Sequence, residues 1–169
     1  MDDEPPGEIE FTRPPTDEDL AILAGKLNEA GVKYIVVGGY AIITAGFARA
    51  TMDIDLLVET SPQNDANLRR ALEYLPDKAI LELGPGEIER YVVVRICEDF
   101  TIDLMAKACG LTYEDAEGMI DYHDHHGVRI PFASPSLLWK TKQTYRDKDA
   151  VDRTFLRRLL EDRGEWPVT

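Results

Sequence analysis

Residues 34–59 read YIVVGGYAIITAGFARATMDIDLLVE. Tyr34-Ile35-Val36-Val37 is a short β-branched run that suits a buried strand. Gly38-Gly39 ends it, and a short apolar segment follows. Arg49 and Thr51 come next, and then Asp53-Ile54-Asp55 opens a second apolar run. The stretch predicts strand, Gly-Gly turn, helix, strand. Glycine lets the backbone take unusual dihedrals and approach another group closely. A helix starting after Gly39 would point its free N–H groups at the turn, which favours a phosphate. In the second strand Asp53 and Asp55 project from one face while Ile54 points to the core. Two carboxylates side by side repel each other unless a cation lies between them. Oxygen-only ligands select magnesium or manganese.

Asp-x-Asp alone also fits a solvated strand edge, and Gly-Gly alone is a weak signal. The combination is more specific: apolar strand, Gly-Gly, thirteen intervening residues, then Asp-apolar-Asp. It resembles the mark of the nucleotidyltransferase superfamily that includes DNA polymerase beta. The form Arg49-x-Thr51-x-Asp53-Ile54-Asp55 resembles the small bacterial members. These are the toxin-type enzymes of abortive-infection systems and the lincosamide nucleotidyltransferases.

The resemblance implies an α/β (α+β) nucleotidyltransferase fold. Its sheet would be mixed and mostly antiparallel, with helices packed on it and a small helical part at the C-terminus. It also implies a third carboxylate on a later strand. Asp103, a lone acid in the apolar run Thr101-Ile102-Asp103-Leu104-Met105, matches that place. By itself it reads first as a solvent-facing strand residue. The resemblance makes it a metal ligand or the general base on an acceptor hydroxyl. Asp53, Asp55 and Asp103 are thus the candidate catalytic and metal-binding residues, for Mg2+ or Mn2+. Gly38, Gly39, Arg49 and Thr51 are the candidate nucleotide contacts.

The length of 169 residues suits a single domain. The composition predicts a soluble, cytoplasmic protein. No apolar run reaches 18 residues, so no membrane span is expected. The acidic, proline-rich start is unlike a secretory leader. Cys97 and Cys109 make no disulfide framework. The net charge is −13, of which residues 1–20 carry −7 with eight acids and one Arg. No basic face for nucleic acid stands out. An acidic surface steers a cationic small molecule more readily.

Along the chain, residues 1–15 read as a loose acidic tail. Residues 16–133 form the nucleotidyltransferase core, and residues 134–169 a helical C-terminal subdomain. Thr16 caps a helix running to about Ala30. Ser61-Pro62 starts another, ended by Leu75-Pro76. Strands are expected at Ala79–Leu83, Tyr91–Ile96 and Phe100–Met105, as consecutive antiparallel neighbours. Thr112 caps a short helix. Asp121 to His126, dense in His and Asp, reads as a polar loop whose spacing matches no zinc motif. Val128–Phe132 is a strand, and Ser134-Pro135 begins the last helices. Lys140, Lys142, Arg146 and Lys148 gather there. They read either as ordinary surface ion pairs or as a cationic wall for a triphosphate, with Lys140 and Lys142 the candidates. Lys148-Asp149-x-x-Asp152 resembles a recurrent C-terminal feature of the small bacterial members, which there is partly structural.

The activity implied is metal-dependent transfer of a nucleoside monophosphate from a nucleoside triphosphate to a hydroxyl acceptor, releasing pyrophosphate. The acceptor would be a small molecule, a tRNA or a protein. The alternative is a toxin–antitoxin or regulatory protein partner that uses the same fold.

Overall fold

The computed structural model describes residues 12–169. Most of the expected tail therefore lies outside the described residues, but Arg13 to Pro15 do not behave as a loose end. The Arg13 amide donates to the Asp99 carbonyl at 2.9 Å, and the Tyr40 hydroxyl donates to the Pro15 carbonyl at 2.8 Å. The Arg13 side chain pairs with Asp19 and lies over the Phe100 ring.

Helix α1 spans Asp17–Glu29, and Thr16 and Asp19 close a reciprocal capping box at its start. Its buried stripe includes Leu20, Leu23 and Leu27. Strand β1 (Tyr34–Val37) is buried throughout and runs directly into α2 (Gly38–Thr44). Strand β2 is Asp53–Val58 and helix α3 is Pro62–Leu72, capped by Ser61.

Ala79–Leu83 does not form a strand. Ala79–Glu82 is a 3₁₀ turn that buries Ile80 and leaves Leu81 exposed. Ile80 and Leu83 are buried three residues apart, which is the repeat of a 3₁₀ turn and not the alternation of a strand. Its backbone is satisfied by a side chain: the buried Glu98 carboxylate accepts from the Asp77 and Ala79 amides, both at 2.9 Å. A one-turn helix, α4 (Glu87–Tyr91), then delays β3 to Val93–Cys97. Strand β4 is Thr101–Met105. Of the expected antiparallel trio, only β3 and β4 pair.

A small hairpin, β5 (Lys107–Ala108) and β6 (Leu111–Thr112), leads to α5 (Tyr113–Ala116), which Thr112 caps. The segment expected as a polar loop is instead strand β7 (Ile120–His125), paired with β8 (Val128–Ala133). The turn between them is His126-Gly127, both with positive φ, a two-residue hairpin connection. Polar residues are tolerated in β7 because it is the sheet edge, and Tyr122, His123 and Asp124 face water. His123 and His125 rest on the Phe132 ring rather than converging on a ligand.

The six-stranded sheet has the order β3-β4-β2-β1-β8-β7. β1/β2, β3/β4 and β7/β8 are antiparallel, while β2/β4 and β1/β8 are parallel. Helices α6 (Pro135–Thr141) and α7 (Asp147–Asp162) follow. Leu137, Leu138 and Leu156 join the same buried core as the sheet. Among the described residues no helix is long and apolar enough to cross a membrane.

Candidate active site

The site grows from one row of the sheet. Strand register sets Val37 beside Asp55, Asp55 beside Asp103, and Asp103 beside Arg95. Residues in register across a sheet share a face, and Asp53, two residues before Asp55, shares it too. One ligand oxygen from each of Asp53, Asp55 and Asp103 lies within 4.8 Å of the others. Asp103 is buried, while Asp53 and Asp55 are half-buried. This is the one such cluster of three or more potential ligand side chains among the described residues.

The cluster is short of positive charge. Burial first, and then the nearby Asp103 and Asp53 carboxylates, push the Asp55 carboxyl up to about 7. An oxygen-only donor set from three acids under mutual repulsion fits a hard divalent cation, Mg2+ or Mn2+.

The two glycines make room for the side chains that come back over them. Gly38 has φ +68°, and a Cβ there would lie 2.0 Å from Oδ2 of Asp55. A Cβ on Gly39 would lie 2.2 Å from Oγ1 of Thr51. Gly38→Ala is therefore expected to cost about 2–4 kcal/mol and to push Asp55 out of the row. Gly86→Ala is the control, because Gly86 is also left-handed, at φ +77°, but faces open space. Thermal unfolding in chelator should show the Gly38 variant losing at least twice what the Gly86 variant loses. Equal losses would mean that Asp55 does not occupy that space.

The remaining sequence candidates separate. The Thr51 hydroxyl donates to the Asp53 carbonyl at 3.2 Å. Arg49 holds Asp152 through Nε and Nη2, each at 2.9 Å, so its guanidinium is already committed to α7. Lys142 is buried, with Nζ 3.1 Å from Asp152 and 3.4 Å from Asp149. It lines a cleft of about 250 Å³ together with Val37, Gly38 and Asp55. Lys107, Thr144 and Arg146 line the same cleft, and Lys140 does not. Burial would raise the Asp149 carboxyl, but the Thr144 hydroxyl, Lys142 and Arg146 outweigh it and hold the group low.

Arg95 is the residue that the sequence alone did not single out. Its Nε lies 2.9 Å from Oδ1 of Asp103, its Nη2 3.1 Å from Oδ2, and Nη2 is 3.5 Å from Asp53. The Asp103 hydrogen bond and charge raise the Arg95 pKa further above its ordinary value.

No protein-family model matches the sequence, and no curated protein matches it by sequence. Solved structures do match by shape. An antigenic nucleotidyltransferase-like protein from Paracoccidioides brasiliensis aligns with a TM-score of 0.55 at 14% identity, over 86% of this chain and 75% of that one. A candidate nucleotidyltransferase from Thermotoga maritima aligns with a TM-score of 0.52 at 16% identity, over 86% and 92%. The lincosamide antibiotic adenylyltransferase LnuA, in its lincomycin-bound form, aligns with a TM-score of 0.50 at 14% identity, over 85% and 98%. The chain thus has the nucleotidyltransferase fold, the architecture that the resemblance at Gly38-Gly39 and Asp53-Ile54-Asp55 implies.

Proposed function

We propose that this protein transfers a nucleoside monophosphate from a nucleoside triphosphate to a hydroxyl acceptor, and that Asp53, Asp55 and Asp103 hold the Mg2+ or Mn2+ the reaction needs. The observation that carries the reading is the carboxylate cluster, drawn from two neighbouring strands, at the edge of a cleft lined by Lys107, Lys142 and Arg146.

Asp53, Asp55 and Asp103 would hold a divalent ion, whose charge would offset that of the phosphates and help align the attacking oxygen with the leaving group. The chain's own residues supply the rest. The acceptor oxygen forms its bond to the α-phosphorus as the bond to the bridging oxygen breaks and pyrophosphate leaves. The acceptor's proton passes to the carboxylate cluster. Lys142, fixed between two aspartates, and the more exposed Lys107 and Arg146 offer positive charge to the β- and γ-phosphates. The Gly38-Gly39 bend leaves room for the Asp55 side chain at the cleft edge. The net charge of −13 favours a cationic small-molecule acceptor over a polynucleotide.

Labelled nucleoside triphosphates, offered with Mn2+ and a panel of aminoglycoside, lincosamide and tRNA acceptors, test the reading. Transfer should need the metal and vanish in Asp53→Asn/Asp55→Asn. Titration with Mg2+ and a non-hydrolysable triphosphate should show binding to the wild type only. Equal binding to the double variant refutes the site.

A further inference from the structure

We infer that Arg95 is a resident counter-cation that competes with the divalent metal for Asp103 and Asp53, and so sets the affinity of the site for the ion. The inference rests on the metal site proposed above.

Asp103 is a buried carboxylate, and a buried charge needs a partner. In the structure that partner is the guanidinium fork of Arg95, which takes both Asp103 oxygens and reaches Asp53. A small divalent ion bonds carboxylate oxygen at about 2.1 Å, so an ion on Asp103 would lie within about 5 Å of the guanidinium. Two positive centres that close, in a half-buried cleft, repel strongly. Loading therefore requires the guanidinium to withdraw.

The geometry allows it to do so. Arg95 stands on β3, an edge strand of the sheet, and its side chain is 59% exposed. Water is available to it once it leaves the carboxylates. Arg49 shows the opposite arrangement: its side chain is 18% exposed and its partner Asp152 is fully buried, which is the form of a fixed tie. Arg95 acts on the reaction only through the metal ligands, so it is a positioning residue. The competition has a signature that a merely structural arginine lacks. Removing it should weaken the metal-free protein and strengthen metal binding at the same time.

The experiment is calorimetric titration of the full chain with Mn2+ alone, without nucleotide. Arg95→Gln should bind Mn2+ about tenfold more tightly than the wild type. Arg95→Lys, which keeps the charge, should stay within about threefold of the wild type. By thermal unfolding, Arg95→Gln should melt below the wild type in chelator and gain more from Mn2+ than the wild type does. Equal or weaker binding by Arg95→Gln, with the wild type binding and Asp53→Asn/Asp55→Asn not binding, overturns the competition and leaves the metal site standing. Binding by none of the proteins overturns both.

Discussion

Asp55→Asn is expected to reduce nucleotidyl transfer by roughly a thousandfold or more, and to raise the melting temperature of the metal-free protein at pH 8. The two effects have one cause. Asp55 lies close to both Asp53 and Asp103, and burial together with those neighbours pushes its carboxyl up to about 7. In the unfolded chain an aspartate titrates near 3.9. Between those values the folded protein holds a proton that the unfolded chain has released. Stability from this group therefore falls as pH rises from about 4 to about 7, and stays low above that. A shift of this size corresponds to about 2–4 kcal/mol, the strain the folded protein carries at pH 8.

Asparagine has a similar shape, still donates a hydrogen bond towards Asp103, and carries no charge. It removes the strain and the proposed metal ligand together. Unfolding scans in chelator should show the wild type losing stability between pH 5 and pH 8, with the variant losing distinctly less. For a chain of this size the gain at pH 8 should be several degrees, about 2–4 °C per kcal/mol. Mn2+ should stabilise the wild type and leave the variant unmoved. A variant less stable than the wild type at pH 8 would mean that the carboxylates do not crowd one another.

The parts of this site that were legible in the sequence are those whose meaning is local. Asp53 and Asp55 share a face because strand side chains alternate, and that holds whatever the strand pairs with. The Thr16, Ser61, Thr112 and Ser134 caps all hold, since each needs only a hydroxyl and an amide three residues on. Arg95 was not legible. In a valine-rich strand it looks like an outward charge, and only the β3/β4 register sets it on Asp103. Lys140 and Lys142 had equal claims in the sequence. Lys140 lies within α6 and Lys142 is the residue just past its end, and pairing with Asp149 and Asp152 sets Lys142 in the cleft wall. The segment expected as a strand at Ala79–Leu83 closes its own turn bonds, Leu81 to Lys78 and Leu83 to Ile80, while Glu98 from a distant turn takes the Ala79 amide. The loop expected at 121–126 failed because an edge strand can expose polar side chains that a central strand could not.

The largest stability loss is expected at Asp152, outside the carboxylate cluster. Asp152 is fully buried and holds two cations at once: Arg49 through both oxygens at 2.9 Å, and Lys142 at 3.1 Å. Asp152→Ala leaves Arg49 with no carboxylate and Lys142 with only Asp149 at 3.4 Å. Removing one partner of a buried ion pair costs about 3–5 kcal/mol, because the charge left behind has lost both its water and its counterion. The melting temperature should fall by roughly 10 °C. Adding Arg49→Met to that variant should recover at least half of the loss, since an apolar pair in place of a buried ionic one is often neutral. The recovery is what separates an ionic tie from a packing defect in α7, which a second substitution at residue 49 would deepen. If Asp152→Ala costs less than about 1 kcal/mol, the Arg49–Asp152–Lys142 network is not what holds α7 against the segment leading into β2. Lys142 also lines the cleft, so the rescued double variant should still transfer nucleotide more slowly than the wild type. Its stability would be restored, but the aspartate that fixes the Lys142 ammonium would still be missing.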